Sequence, residues 1–218
     1  MVSKPLNLTK KMEQVLLGSL LGDGSLHIHK KRGKNATYTE EHSLKQLQYA
    51  KWKNSFLKFK ETLVNRKEKR FGDVREYQQV CIYSPASPTL TEYYSFFYPN
   101  GKKVVTREIL DKLEPLGLAV WYCDDGCYLY RQNMINFATN KFTKKENEFI
   151  IDFFYKKFHI KSRLRKLKKE QFNIEIKQDK DKFVELIKPY VLPIFYYKLG
   201  LDIIKKENVK KKIKEYTI

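Results

Sequence analysis

Two aspartates, Asp23 and Asp125, occupy matching settings 102 positions apart in a chain of 218 residues. Each closes an apolar run of helical length and is followed by glycine: LLGSLLGDG from Leu16 to Gly24, and LAVWYCDDG from Leu118 to Gly126. Glycine past the last turn of a helix predicts a left-handed cap, here at Gly24 and Gly126, with the acid displayed at the helix end. The helix dipole is negative there, so a carboxylate calls for a cation. Gly18 and Gly22 in the first run, and Ala119 and Cys123 in the second, give each helix a nearly bare face, which lets two backbones approach closely. Such an approach would bring the carboxylates together, and they would repel unless one took a proton or cations lay between them. Oxygen ligands facing a phosphate favour Mg2+.

The segments after the two runs repeat one order of elements. The first run leads into SLHIH, the basic turn KKRGKN, the strand ATYTEEH, the helix LKQLQYAKWKNSFLKF, strands ending in REYQQVCIYS and the helix TLTEYYSFFY. The second leads into CYLYRQ, INFAT, the helix TKKENEFIIDFFYKKF, the strands SRLRKLK and QFNIEIK, and the helix DKFVELIKPYV. Periodicity therefore predicts an α+β chain of two αββαββα halves, residues 1–99 and 104–218, joined by a linker at 100–103 around Asn100-Gly101. A basic tail, IIKKENVKKKIKEY, closes the second half and reads as a helix with a solvated face.

Composition narrows the partners. The formal net charge of +19 points to a polyanion, because each Lys or Arg that meets a phosphate releases counterions. No stretch is apolar enough to span a bilayer, and the start MVSKPLNLTKK lacks the apolar core of a signal peptide, so a membrane is not an expected partner. Cys81, Cys123 and Cys127 are odd in number and lack paired spacing, which argues against a secreted disulfide framework and against a zinc site. The expected location is intracellular, in a bacterial cytoplasm or an organelle matrix.

The two runs, with the element order behind each, resemble the paired signature motifs of the single-chain, intron-encoded LAGLIDADG homing endonucleases. The resemblance extends from about Met12 to Lys198 and includes LIKPYVLPIFYYKL near the C-terminus. It implies a saddle of antiparallel sheet with the motif helices at a central interface, a monomer, and hydrolysis of one phosphodiester in each strand of a long double-stranded DNA target. It places the metal-binding acids on Asp23 and Asp125, backbone carbonyl ligands on Gly22 and Asp124, and catalytic lysines on Lys103 in GKKVV and Lys198 in YYKLG. Mg2+ is the implied cofactor, with Mn2+ or Ca2+ able to replace it in binding. Val120 and Trp121 depart from the usual motif and bear on helix packing rather than on the acids.

A two-stranded ribbon fits the major groove, and alternation along each strand selects the side chains that would read it. In the first half these are Ser25, His27 and His29, with Lys31, Arg32 and Lys34 in the turn, and Arg75, Tyr77 and Gln79. In the second they are Tyr128, Tyr130, Arg131, Gln132, Asn136, Arg163, Arg165, Gln171, Asn173, Glu175 and Lys177. The Gln, Asn and Arg side chains suit base edges, and the lysines suit phosphates. His27 and His29 lack a third metal ligand nearby and are taken as surface or DNA contacts. Two other functions fit the same sequence: an RNA maturase that assists intron splicing, and a DNA-binding regulator without catalysis. A Met start and a KEYTI end disfavour an intein origin.

Overall fold

The side-chain oxygen of Thr9 accepts the N–H of Met12 and starts α1, Lys10–Leu21, whose Val15, Leu16, Leu17, Leu20 and Leu21 are buried. Satisfying an orphan amide at the first turn fixes where the apolar run begins. The structure is a computed structural model that describes residues 4–29, 33–70, 73–168 and 170–201. Lys31, Arg32 and the tail from 202 onward lie outside the described residues, as does the side chain of Arg75.

The chain divides into two compact units, Met1–Lys103 and Val104–Ile218. In the first, α1 is followed by β1 Ser25–Ile28, β2 Ala36–Ser43, α2 Leu47–Leu57, β3 Lys60–Arg70, β4 Asp73–Tyr83 and α3 Pro88–Phe97. The second adds a short helix, α4 Arg107–Asp111, capped by Thr106, before α5 Pro115–Asp125. Then come β5 Gly126–Leu129, β6 Met134–Phe137, α6 Lys144–Phe158, β7 Arg163–Lys166, β8 Phe172–Ile176 and α7 Lys180–Ile187, with a final 3-10 turn at Pro193–Leu199. Each unit holds a four-stranded antiparallel sheet of the same topology, β1-β2-β4-β3 and β5-β6-β8-β7. The αββαββα order expected from the repeat is present twice, and α4 is the addition.

Alternation decides which side of each sheet meets the helices. Val80 and Ile82 on β4, and Phe172, Ile174 and Ile176 on β8, face inward and are buried. In the second unit Phe137 lies with its ring 5.0–5.6 Å from those of Tyr122, Trp121, Phe154 and Phe183, an aromatic core that sheet, motif helix, α6 and α7 all supply. The start of α6 is a capping box: Thr143 Oγ1 accepts the Glu146 N–H at 3.3 Å, and the Glu146 carboxylate accepts the Thr143 N–H at 2.7 Å. Thr143→Ala is expected to cost about 1 kcal/mol, read as a lower urea midpoint at unchanged slope.

The glycines after the motif acids differ from expectation. The left-handed glycines among the described residues are Gly33, Gly101 and Gly200; Gly126 has φ −93°. Gly24 and Gly126 are required for space instead. A Cβ on Gly24 would lie 2.8 Å from the Tyr38 hydroxyl and 2.9 Å from the Ser19 carbonyl, and one on Gly126 would lie 2.0 Å from the Tyr122 ring. The helix ends also differ, since α1 stops at Leu21 and leaves Asp23 in the following turn, whereas α5 runs through Asp125.

Candidate functional site

In the first unit the turn after α1 is closed by Gly22 N–H to the Gly18 carbonyl at 3.0 Å and Gly24 N–H to the Ser19 carbonyl at 2.7 Å. This presents Asp23 outward, with its side chain 40% exposed. Lys103, the last residue of this unit, returns to the same turn and donates from Nζ to the carbonyls of Gly24 at 2.7 Å and Gly22 at 3.4 Å. Lysine thus places a positive charge on the negative end of the motif helix.

Beneath Asp23 lies a buried polar chain that sequence reasoning missed. His42 Nδ1 is 3.9 Å from Asp23 Oδ2, and His42 Nε2 is 3.2 Å from Glu40 Oε1. Glu40 forms a close ion pair with Lys53 of α2 and accepts the Tyr38 hydroxyl at 2.7 Å. Glu40, His42 and Lys53 are all buried. Burial pushes the Glu40 carboxyl up, yet the Lys53 charge and His42 together outweigh it and hold the group at about 2. The available signal was Glu40 and His42 at the inward positions of β2, where a strand normally carries apolar residues.

The second unit repeats the plan with other chemistry. Lys198 of the final 3-10 turn donates from Nζ to the Cys123 carbonyl and, at 3.4 Å, to that of Asp124. Its own carbonyl accepts the Tyr122 hydroxyl at 2.5 Å, so the motif helix and the lysine segment hold one another. Burial raises the Tyr122 phenol well above its ordinary value, keeping it a donor. The Asp125 carboxylate pairs with Lys141 Nζ at 3.0 Å, and the Asp125 carbonyl accepts the Ala138 N–H. Where the first unit buries Glu40 against Lys53, this one buries Thr139 against Asn147, with Oγ1 to Oδ1 at 2.5 Å. Lys141 gave no sequence signal, because it stands among many surface lysines.

The outer face of the first sheet is a groove of about 560 Å3 lined by Thr37, Thr39, Glu41, Thr62, Arg66 and Tyr83, among others. Beside it on β1, Ser25 Oγ lies 2.9 Å from His27 Nε2 and 3.1 Å from Thr39 Oγ1. Burial, followed by the charges of His29 and Lys103, lowers the His27 pKa below its ordinary value, so at neutral pH His27 is a hydrogen-bonding group rather than a cation. His29, Lys34 and Tyr77 are exposed and Gln79 half-buried. Sequence alternation missed Thr39, Thr62, Arg66 and Tyr83, which strand register places on this face.

In the second unit Arg131, Gln132, Gln171 and Lys177 are exposed. Asn136 is buried and accepts from Asn173 Nδ2 at 3.3 Å; Glu175 is buried beneath Arg163 and Arg165. Tyr128 and Tyr130 are half-buried and make contacts within the unit. The Tyr128 ring lies against Gly200, and the Tyr130 hydroxyl donates to the Tyr197 carbonyl at 2.8 Å. Tyr128 pairs in register with inward-facing Ile135, which explains its direction. No described helix is long and apolar enough to cross a membrane.

Comparison with known proteins adds four findings. The model of the LAGLIDADG DNA endonuclease family matches residues 13–184. A cytochrome b mRNA maturase bI2 from Debaryomyces hansenii is 31% identical over 205 residues, covering 91% of this chain and 76% of the relative. Protein RecA of Mycolicibacterium flavescens is 30% identical over 215 residues, and this chain spans about half of its length, 48%. Among solved structures, the homing endonuclease I-WcaI bound to its DNA recognition sequence has a TM-score of 0.78 at 24% identity, over 89% of this chain and 88% of that one.

Proposed function

Because this chain belongs to the LAGLIDADG DNA endonuclease family, we propose that it is a site-specific, metal-dependent endonuclease that hydrolyses one phosphodiester in each strand of a long DNA duplex. The observation that carries this reading is a repeated one. Each unit carries an acid at the end of its motif helix or in the turn just past it, and bonds a lysine ammonium to backbone carbonyls beside that acid, Lys103 in one and Lys198 in the other. Two such ends supply one acid and one cation for each strand to be cut.

The donors fit a hard divalent ion. Asp23 and Asp125 offer carboxylate oxygens, and Gly22 and Asp124 offer carbonyls, a set suited to Mg2+, with Mn2+ or Ca2+ as substitutes. A bound ion supplies charge neutralisation at the scissile phosphate and a more acidic attacking water. The chain itself does the positioning: Lys103 and Lys198 fix the helix-end carbonyls and set positive charge beside the phosphate, while His42 and Lys141 face the carboxylates. Lys103→Met and Lys198→Met are each expected to lower single-turnover cleavage about 10- to 100-fold, with duplex affinity nearly unchanged. A loss of affinity as large as the loss of rate would make these lysines simple phosphate contacts.

The outer faces of the two sheets would grip the duplex, with Arg, Asn and Gln at base edges. Cleavage selection from a randomised duplex library, with Mg2+ against EDTA, tests the reading; no cut species in Mg2+ would overturn it. A second reading, an RNA maturase, is favoured by the Debaryomyces relative, which carries that name. It is tested by adding the protein to precursor RNA and scoring splicing while DNA stays uncut. A non-catalytic regulator would enrich duplexes without cutting them.

A further inference from the structure

Glu175 sits on β8, between Asn136 of β6 and Arg163 of β7 in register. Alternation points it away from Ile174 and Ile176, toward the outer face, yet its side chain is only 4% exposed. Two arginines cover it. Arg163 donates to Oε2 from Nε at 3.0 Å and from Nη2 at 2.8 Å, and Arg165 donates to Oε1 from Nη1 at 3.0 Å. The arginines themselves remain 65% and 46% exposed on the edge strand, so each guanidinium is anchored on one side and open on the other.

We propose that Glu175 is a specificity-positioning residue, holding Arg163 and Arg165 as a preformed pair that reads guanine in the major groove of the target. This deepens the endonuclease reading and rests on it. A carboxylate on a DNA-facing surface opposes phosphate, so it weakens binding to any duplex. Its effect on the arginines runs the other way. Each planar fork is fixed before DNA arrives, and the unused N–H groups suit the O6 and N7 of guanine, a bidentate match that lysine cannot make. Arg163 and Arg165 are two residues apart on one strand, about 6.8 Å at a rise of about 3.4 Å, which equals about two base-pair steps. The target should therefore carry guanines at two positions within about two steps of one another, contacted by this unit.

The test is a selection of bound duplexes in Ca2+, followed by competition with every single-base change in the selected site. Glu175→Gln, which keeps size and removes the anchor, should cut discrimination about tenfold at the two guanine positions while raising affinity for unrelated duplex. Replacing both arginines by lysine keeps their charge and should erase the same two preferences with non-specific affinity retained. Melting temperatures near wild type show that the variants fold. A wild type that selects a site while Glu175→Gln keeps every preference would overturn the positioning role alone. A profile with no guanine sensitive to the two arginines would do the same. A wild type that selects no site would overturn the endonuclease reading with it.

Discussion

Asp23→Asn and Asp125→Asn are each expected to lower cleavage about 10³-fold or more while leaving duplex binding intact. The amide keeps the shape of the carboxyl and removes the negative charge that a divalent ion needs. The two variants should differ in what remains. Asp23 is open to solvent beside a buried histidine, whereas Asp125 is mostly covered and paired with Lys141 at 3.0 Å. Asparagine at 125 also removes the ion pair with Lys141. Asp124→Asn gives the internal control. The role proposed for that residue belongs to its carbonyl, which substitution preserves, so cutting should fall much less than with Asp125→Asn. Single-turnover assays with each strand separately labelled report all three. Full activity in Asp125→Asn together with loss in Asp124→Asn would move the acid one position along the helix.

Sequence made the fold legible because its signals were local and repeated. Period-two runs such as QFNIEIK fixed both strand and face, and the second copy checked the first. The position of the two acids close to the helix ends was legible for the same reason, since apolar run, acid and glycine are consecutive. The distant lysines were placed by resemblance alone; Lys103 lies against carbonyls of the turn after α1 and Lys198 against carbonyls of α5. Three-dimensional contacts were not legible. Alternation on the strand could not show that Tyr128 and Tyr130, both half-buried, also lean on Gly200 and on the turn at Pro193–Leu199. Glu175 looked like an outward reader, but whether an acid on a strand face is free or covered depends on arginines of the neighbouring strand. The motif glycines were assigned to backbone conformation, whereas Tyr38 and Tyr122 show that the constraint is side-chain space.

Glu40→Gln is expected to cost about 3–5 kcal/mol of unfolding free energy, the largest stability effect in the first unit. Lys53 is fully buried, and removing the carboxylate leaves its ammonium without that compensating charge. The sign of the pH dependence follows from Glu40 itself. Its folded pKa, about 2, lies below the ordinary value of 4.5, so the stabilisation is complete above about 4.5 and is lost as pH falls toward 2. Urea titrations at several pH values should show that slope in the wild type. Glu40→Leu combined with Lys53→Met removes both charges and should recover most of the stability, because a buried pair replaced by apolar groups is often neutral or better. It should also lack the acid slope. Catalysis separates the two roles of the network: the double variant deprives His42 Nε2 of its carboxylate neighbour at 3.2 Å, next to Asp23. A protein as stable as wild type that cuts one strand slowly and accumulates nicked duplex would show that the buried pair serves the site as well as the fold. Equal cutting of both strands by a stable double variant would restrict Glu40 and Lys53 to the fold.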